Sequence, residues 1–303
     1  MNPAKLILFA ALVAITVVFI AAWVRGVRRN RPASGLRPTL LETAVGFVTN
    51  FFDTLGIGSF APTTSIFKLK RMVPDEHIPG TLNVGHALPT VAEALVFIAI
   101  VNVGMATLAG LIAASVAGAW LGAGVVASWP RRKVQLGMGG ALLAAAGLFA
   151  MTNLHLLPGG GDALSLEGWR FAAGLVGNFA LGALMTLGIG LYAPCMILVS
   201  LLGMNPIAAF PIMMGSCAFL MPVGSLRFIE RGSYSPRTAW GLAVGGVPGV
   251  LIAAFIVKSL PLTALRWGVV VVVLYAAGAM LRSARGKGEP APSGGLSLPQ
   301  VRS

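Results

Sequence analysis

Asn83, His86, Thr90 and Glu93 hold the chain's densest polar chemistry, set in an otherwise apolar stretch. Their spacing of i, i+3, i+7 and i+10 puts all four on one face of a helix. An amide, an imidazole, a hydroxyl and a carboxylate aligned in this way can line a site, and His86 and Glu93 can carry a proton to it. A plainer reading stays open: Asn83 and His86 tie down a neighbouring loop, and Glu93 pairs with a basic residue such as Arg227. Asp53 is a third acid embedded in apolar sequence. It serves either as a further proton-coupling group or as a cap lying toward the cytoplasmic side.

Asp53 leads directly into Thr54-Leu-Gly-Ile-Gly-Ser-Phe-Ala-Pro62, and the pattern returns as Thr186-Leu-Gly-Ile-Gly-Leu-Tyr-Ala-Pro194. The residues beyond keep step at one constant offset, Met72 and Pro74 with Met204 and Pro206, and Pro79 with Pro211. This is an internal duplication. Gly-x-Gly and Ala-Pro both oppose a continuous helix, the first through backbone freedom and the second through a missing N–H. Paired helix breaks in two halves point to a binding site between them. A helix starting at Ala61-Pro62 or Ala193-Pro194 aims its positive end inward, and two such ends make an anion site without Lys or Arg. The candidate site is therefore the backbone of Gly56, Ile57, Gly58 and Ser59 with that of Gly188, Ile189, Gly190 and Leu191. Thr54, Ser59, Thr63, Thr64 and Thr186 add hydroxyls, Cys195 adds a thiol, and Asn83 and His86 lie close by. The alternative is that the glycines only let helices approach and the hydroxyls only satisfy backbone carbonyls. Asp53, His86 and Glu93 are the candidates for proton coupling. Met185 and Ser225 stand at the matching places of Asp53 and Glu93, so such a relay is one-sided.

These residues must be positioned by helices in a membrane. The chain has 303 residues, 56% hydrophobic and 10% charged, against roughly 25% charged in soluble domains. Apolar runs of span length recur throughout, and their continuity excludes a barrel. The net charge of +13 sits in short Lys/Arg clusters between those runs, the positive-inside pattern, and does not describe a nucleic-acid surface. Cys195 and Cys217 both fall in apolar segments without a Cys-x-x-Cys pair, so no disulfide, metal centre or cofactor is expected.

The order of runs gives five parts: a helix and basic loop over 1–38, a first repeat over 39–155, a loop over 156–168, a second repeat over 169–282 and a disordered tail over 283–303. Each repeat holds one broken segment, 39–67 or 169–202, followed by three runs: 80–102, 104–128 and 134–153 in the first, 207–226, 238–257 and 262–281 in the second. If each broken segment is a hairpin, Lys68, Lys70 and Arg71 fall on one side with Arg131, Arg132, Lys133, Arg227, Arg231, Arg237 and the basic tail. The loop with Asp162 and Glu167 then falls on the other. Each repeat makes an odd number of crossings, so the two are inverted, with the N-terminus outside and the C-terminus in the cytoplasm.

A Gly-rich, Pro-terminated broken helix repeated in both halves resembles the TauE/SafE family of sulfite exporters. Gly56, Gly58 and Pro62 with Gly188, Gly190 and Pro194 carry the likeness over roughly 39–282. The resemblance implies an inner-membrane permease for a small sulfur-containing anion such as sulfite or an organosulfonate. The expected partners are that anion, membrane lipid and no nucleic acid, with a homodimer left open. The longer glycine run common in the family is here reduced to Gly-Ile-Gly. Two alternatives remain: a passive anion channel, and an intramembrane hydrolase using Ser59 with His86. The second is disfavoured because Phe60 stands where a nucleophile elbow has glycine.

Overall fold

A computed structural model describes residues 3–30, 35–156, 161–188 and 190–256, together with scattered helical positions between 270 and 285. Ile189, the tail beyond 285 and much of the run at 262–281 lie outside the described residues. Among the described residues the chain forms ten α-helices: α1 Pro3–Asn30, α2 Leu40–Thr54, α3 Phe60–Lys70, α4 Ile78–Ile100, α5 Met105–Val126, α6 Arg131–Asn153, α7 Gly168–Met185, α8 Tyr192–Leu201, α9 Pro206–Arg231 and α10 Pro236–Ile256. A single 3-10 turn, Asp75–His77, precedes α4. Five helices among the described residues, in α1, α4, α5, α9 and α10, are long and apolar enough to cross a membrane. This is a multi-pass helical membrane protein.

Both expected breaks are present. α2 and α3 are 15 and 11 residues long, or about 22 and 16 Å, and each falls short of a hydrocarbon core of about 30 Å. α2 starts where Thr39 and Glu42 form a reciprocal capping box. It stops at Thr54 because Gly56 and Gly58 turn to φ 80° and 88°, a region that side chains disfavour. Gly188 repeats the turn at φ 89° between α7 and α8.

Side-chain and backbone contacts sort the helix ends into two groups. At one end Glu42 opening α2 meets Arg237 at 3.2 Å and Thr238 at 2.9 Å, where α10 begins. Lys68 closing α3 meets Asp75 at 2.8 Å, and Gln135 of α6 donates to the same carboxylate at 2.7 Å. Thr81 of α4 accepts from the Ser235 backbone N–H, and Ser233 donates to the Ala127 carbonyl. Arg29 of α1 reaches the Glu230 carbonyl. At the other end Gly104 donates to the Leu164 carbonyl at 2.8 Å, and Leu166, just before α7, donates to Thr107 at 2.9 Å. Asn205, just after α8, donates to the Ala163 carbonyl. The acids Asp75 and Glu76, an anomaly among basic clusters, are explained by this pairing: Arg131 lies 3.7 and 3.8 Å from them.

α2 packs along α10 and α7 along α5, each pair running parallel. Glycines set the closeness. A Cβ on Gly46 would meet the Leu242 backbone, one on Gly249 the Phe47 carbonyl, and ones on Gly118 and Gly182 the backbones of Phe179 and Ser115. Small residues that let helix backbones touch are the membrane substitute for hydrophobic packing. α4 and α9, the helices that follow the two breaks, pack on each other at the centre, and α5 against α9 is matched by α10 against α4.

Candidate functional site

The two breaks meet. A narrow cavity of about 10 Å³, room for one water's centre, is lined by Asp53, Gly58, Ser59 and Phe60 from the first copy. Met185, Gly190, Leu191 and Tyr192 line it from the second, Thr90 from α4, and Cys217 and Met221 from α9.

The first copy supplies oxygen chemistry. Asp53 accepts from both the hydroxyl and the backbone N–H of Ser59, the residue that opens α3. It also lines the cavity. Glu93 is fully buried. The Thr54 hydroxyl, at the end of α2, has one hydrogen to share between Glu93 Oε1 and the Asn50 carbonyl, each at 2.9 Å, and Tyr192, the first residue of α8, donates to Glu93 Oε2. One carboxylate thus ties the tips of both broken helices. No ion pair reaches Asp53 or Glu93 among the described residues. The suggested pairing of Glu93 with Arg227 is not observed: Arg227 lies 3.6 Å from Glu230 and stacks 4.0 Å over the Trp120 ring, at the end of α9 rather than its middle.

His86 is held on both sides. Asn50 gives its Nδ2–H to the Gly46 carbonyl, which leaves its Oδ1 to accept from His86 Nδ1–H at 3.0 Å. Nε2 then accepts from the Thr63 hydroxyl at 3.1 Å, the arrangement of a neutral imidazole assigned from its partners. His86 therefore staples α2, α3 and α4 together beside the cavity. Asn83 donates to the Pro79 carbonyl one turn back, and its Oδ1 and the Thr64 hydroxyl are buried without a hydrogen-bond partner.

The second copy supplies sulfur. Met185 stands at the place of Asp53, and its Sδ lies 3.6 Å from Cys217 Sγ. Leu191 replaces Ser59 at the start of α8, where no side chain caps the helix. Cys217, not Cys195, faces the cavity; Cys195 is buried beside it. Thr186 bonds to its own α7 at the Ala183 carbonyl, and neither it nor Gly56, Ile57 or Gly188 lines the cavity. Tyr192, Cys217 and Met221 were not among the sequence candidates. Tyr192 had a signal, since it is the aromatic position of the repeated motif. Cys217 and Met221 match Gly85 and Pro89 under the repeat, so periodicity hid them as core.

Two broken helices meeting at a cavity in a multi-pass bundle are the arrangement of a membrane transport protein. By comparison, residues 170–301 match the family model described as Sulfite exporter TauE/SafE. The likeness read from the paired Gly-x-Gly motifs is thereby shown for the second half of the chain. Comparison with curated proteins and with solved structures returned no match.

Proposed function

We propose that the protein is a secondary permease for a small sulfur-containing anion, bound in the cavity between the two broken helices. The observation that carries this reading is the difference between the two helix ends facing that cavity. At the start of α3 the Asp53 carboxylate already stands against the N-cap residue, accepting from the hydroxyl and backbone N–H of Ser59. At α8 the matching residue is Met185, which leaves the first-turn N–H groups beside Gly190, Leu191 and Tyr192 as the seat for a bound anion. Ser59 and Thr90 also line the cavity, with their hydroxyl hydrogens given to Asp53 and to the His86 carbonyl, and Asn83, His86 and Thr63 hold the wall in place.

The packing supports inverted repeats. α2 and α3 begin and end at one end of the bundle, α7 and α8 at the other, and the exchange of α2·α10 for α7·α5 is the pairing that a two-fold axis between the repeats produces. Lys68, Lys70, Arg71, Arg131, Arg132, Lys133, Arg231 and Arg237 gather at the first end, which we assign to the cytoplasm. A cysteine at position 132 labelled from outside intact cells by an impermeant thiol reagent would reverse that assignment. The hydrolase alternative draws no support, since His86 bonds to Thr63 while Ser59 bonds to Asp53.

The test is thermal unfolding of the purified full chain with sulfite, thiosulfate, sulfate, sulfoacetate, lactate and chloride. A ligand at 100 times its Kd stabilises by about 2.7 kcal/mol. Stabilisation confined to a sulfur oxyanion, and lost when Gly58 is replaced by Val, supports the reading. Equal shifts across the panel overturn it.

A further inference from the structure

The Thr54 hydroxyl has one hydrogen to give, and two oxygens lie 2.9 Å from it: the Asn50 carbonyl one turn back on α2, and Glu93 Oε1 on α4. Other hydroxyls on these helices show which oxygen receives it. Thr49, Ser65, Thr81 and Thr90 each donate to the carbonyl four residues back, the local bond of a hydroxyl inside a helix. Having done so, Thr81 also accepts, from the Ser235 backbone N–H at 2.9 Å. Thr54 in the same arrangement gives its hydrogen to Asn50, and what it takes from Glu93 is a hydrogen. We propose that Glu93 is a neutral carboxylic acid that donates from Oε1 to Thr54 and accepts from Tyr192 at Oε2, and that this acid positions Tyr192 at the cavity.

The same count of hydrogens separates the two acids. Both partners of Asp53 are donors, the hydroxyl and the backbone N–H of Ser59, so its carboxyl needs no proton of its own. Glu93 has one firm donor, Tyr192, and its second partner has a hydrogen already committed to Asn50. A proton on Glu93 completes a line in which every hydrogen has an acceptor: Tyr192 to Glu93, Glu93 to Thr54, and Thr54 to the Asn50 carbonyl. That line joins the start of α8 to the end of α2 through α4. The place then holds one negative charge instead of two, and an anion seated at α8 faces an uncharged Glu93. Burying a second carboxylate there without a cation is the costlier arrangement. The role in positioning Tyr192 for binding rests on the reading of the cavity as an anion site; the protonation state of Glu93 does not.

No group facing Glu93 supplies a compensating positive charge. α2 contributes Asp53, α8 contributes Tyr192 and Cys195, and α9 contributes Cys217. On α4 itself His86 lies two turns away, giving its Nδ1–H to Asn50 and accepting from Thr63 at Nε2. The cations of the other helices packed on α4 stand towards their ends: Lys5, Arg25, Arg28 and Arg29 on α1, Lys68 and Lys70 on α3, and Arg237 on α10.

Infrared spectra of the full chain in lipid nanodiscs at neutral pH report a protonated carboxyl by its C=O stretch, which lies apart from the carboxylate bands. Wild type should show that band, Glu93→Gln should lack it, and Asp53→Asn should keep it. A band absent from wild type, or one lost in Asp53→Asn and kept in Glu93→Gln, overturns the assignment. Positioning is read from the affinities of Glu93→Gln and Glu93→Leu for sulfite and thiosulfate. A glutamine accepts from Tyr192 and donates to Thr54 as the acid does; a leucine does neither. The Gln variant should bind about tenfold or more tightly than the Leu variant, and equal affinities in the two folded variants overturn the positioning role. If the band behaves as expected while wild type binds neither anion, the permease reading falls with that role, and the neutral Glu93 stands.

Discussion

If α8 is the open seat, closing it should abolish binding, and the first repeat shows how. Asp53 accepts from the hydroxyl and backbone N–H of Ser59 at the start of α3; at the matching place in the second repeat Met185 is 3% exposed and lines the cavity next to Leu191. Met185→Asp copies the carboxylate of the first repeat into the second. The loss of methionine packing is common to Met185→Asn, which has the same size and no charge, so the ratio between the two variants isolates the carboxylate. A carboxylate at a helix N-terminus contributes about 0.3–2 kcal/mol. An anion that has to displace it loses that amount, so binding to the Asp variant should be roughly two- to thirty-fold weaker than to the Asn variant. Anion-dependent shifts in unfolding temperature, measured over a concentration series for both, give the ratio. Equal affinities in two folded variants would show that the anion does not sit at the start of α8, and the site would have to be moved.

Two further outcomes test the frame around the cavity. Glu42 is buried, and burial opposes its ionisation. The backbone N–H of Thr39, the Thr238 and Thr39 hydroxyls and the charge of Arg237 outweigh that opposition and hold the carboxyl below its ordinary 4.5. A depressed carboxyl stabilises the fold above its ordinary value and loses that contribution as pH falls through the folded one. Glu42→Gln should therefore cost about 1–3 kcal/mol at neutral pH, with the gap to wild type closing below pH 4.5; a gap independent of pH in thermal unfolding would refute the assignment. On α5, Gly118→Ala drives a methyl into the Phe179 backbone, whereas a Cβ on Gly124 meets nothing within 4 Å. The first substitution should cost about 1–3 kcal/mol and the second should be neutral or stabilising by up to about 1 kcal/mol. Similar effects at the two positions would mean that α5 and α7 are not in contact as described.

Much of this arrangement was legible because duplication is visible in residues that cannot be exchanged. Gly56 and Gly188 keep a backbone that other residues disfavour, and Pro62 and Pro194 mark where each short helix resumes. The polar face of α4 was legible from its spacing alone. The partners of that face were not, because a side chain's direction across helices depends on packing that no local pattern records. Sequence offers Arg227 as one possible partner of Glu93, yet Glu93 is bonded by two hydroxyls, one of them on a residue 99 positions away. The sulfur wall was invisible for a different reason: Met185, Cys217 and Met221 look like core, and become informative only once a cavity lies against them.

The duplicated frame and the unduplicated chemistry have separate consequences. The glycine turns, the parallel pairs α2·α10 and α5·α7 and the central α4·α9 contact all survive exchange of the two repeats. A frame of that kind can expose one central cavity to either face by exchanging the conformations of its halves, because neither half is privileged by its backbone. The side chains are privileged. Asp53, Ser59, His86, Thr63 and Glu93 face Met185, Leu191, Ala218, Cys195 and Ser225 at the matching positions. The acids are kept on one side only, so a carboxylate stands at the start of α3 and none at the start of α8, and the two breaks are joined through the Tyr192 hydroxyl, which donates to Glu93.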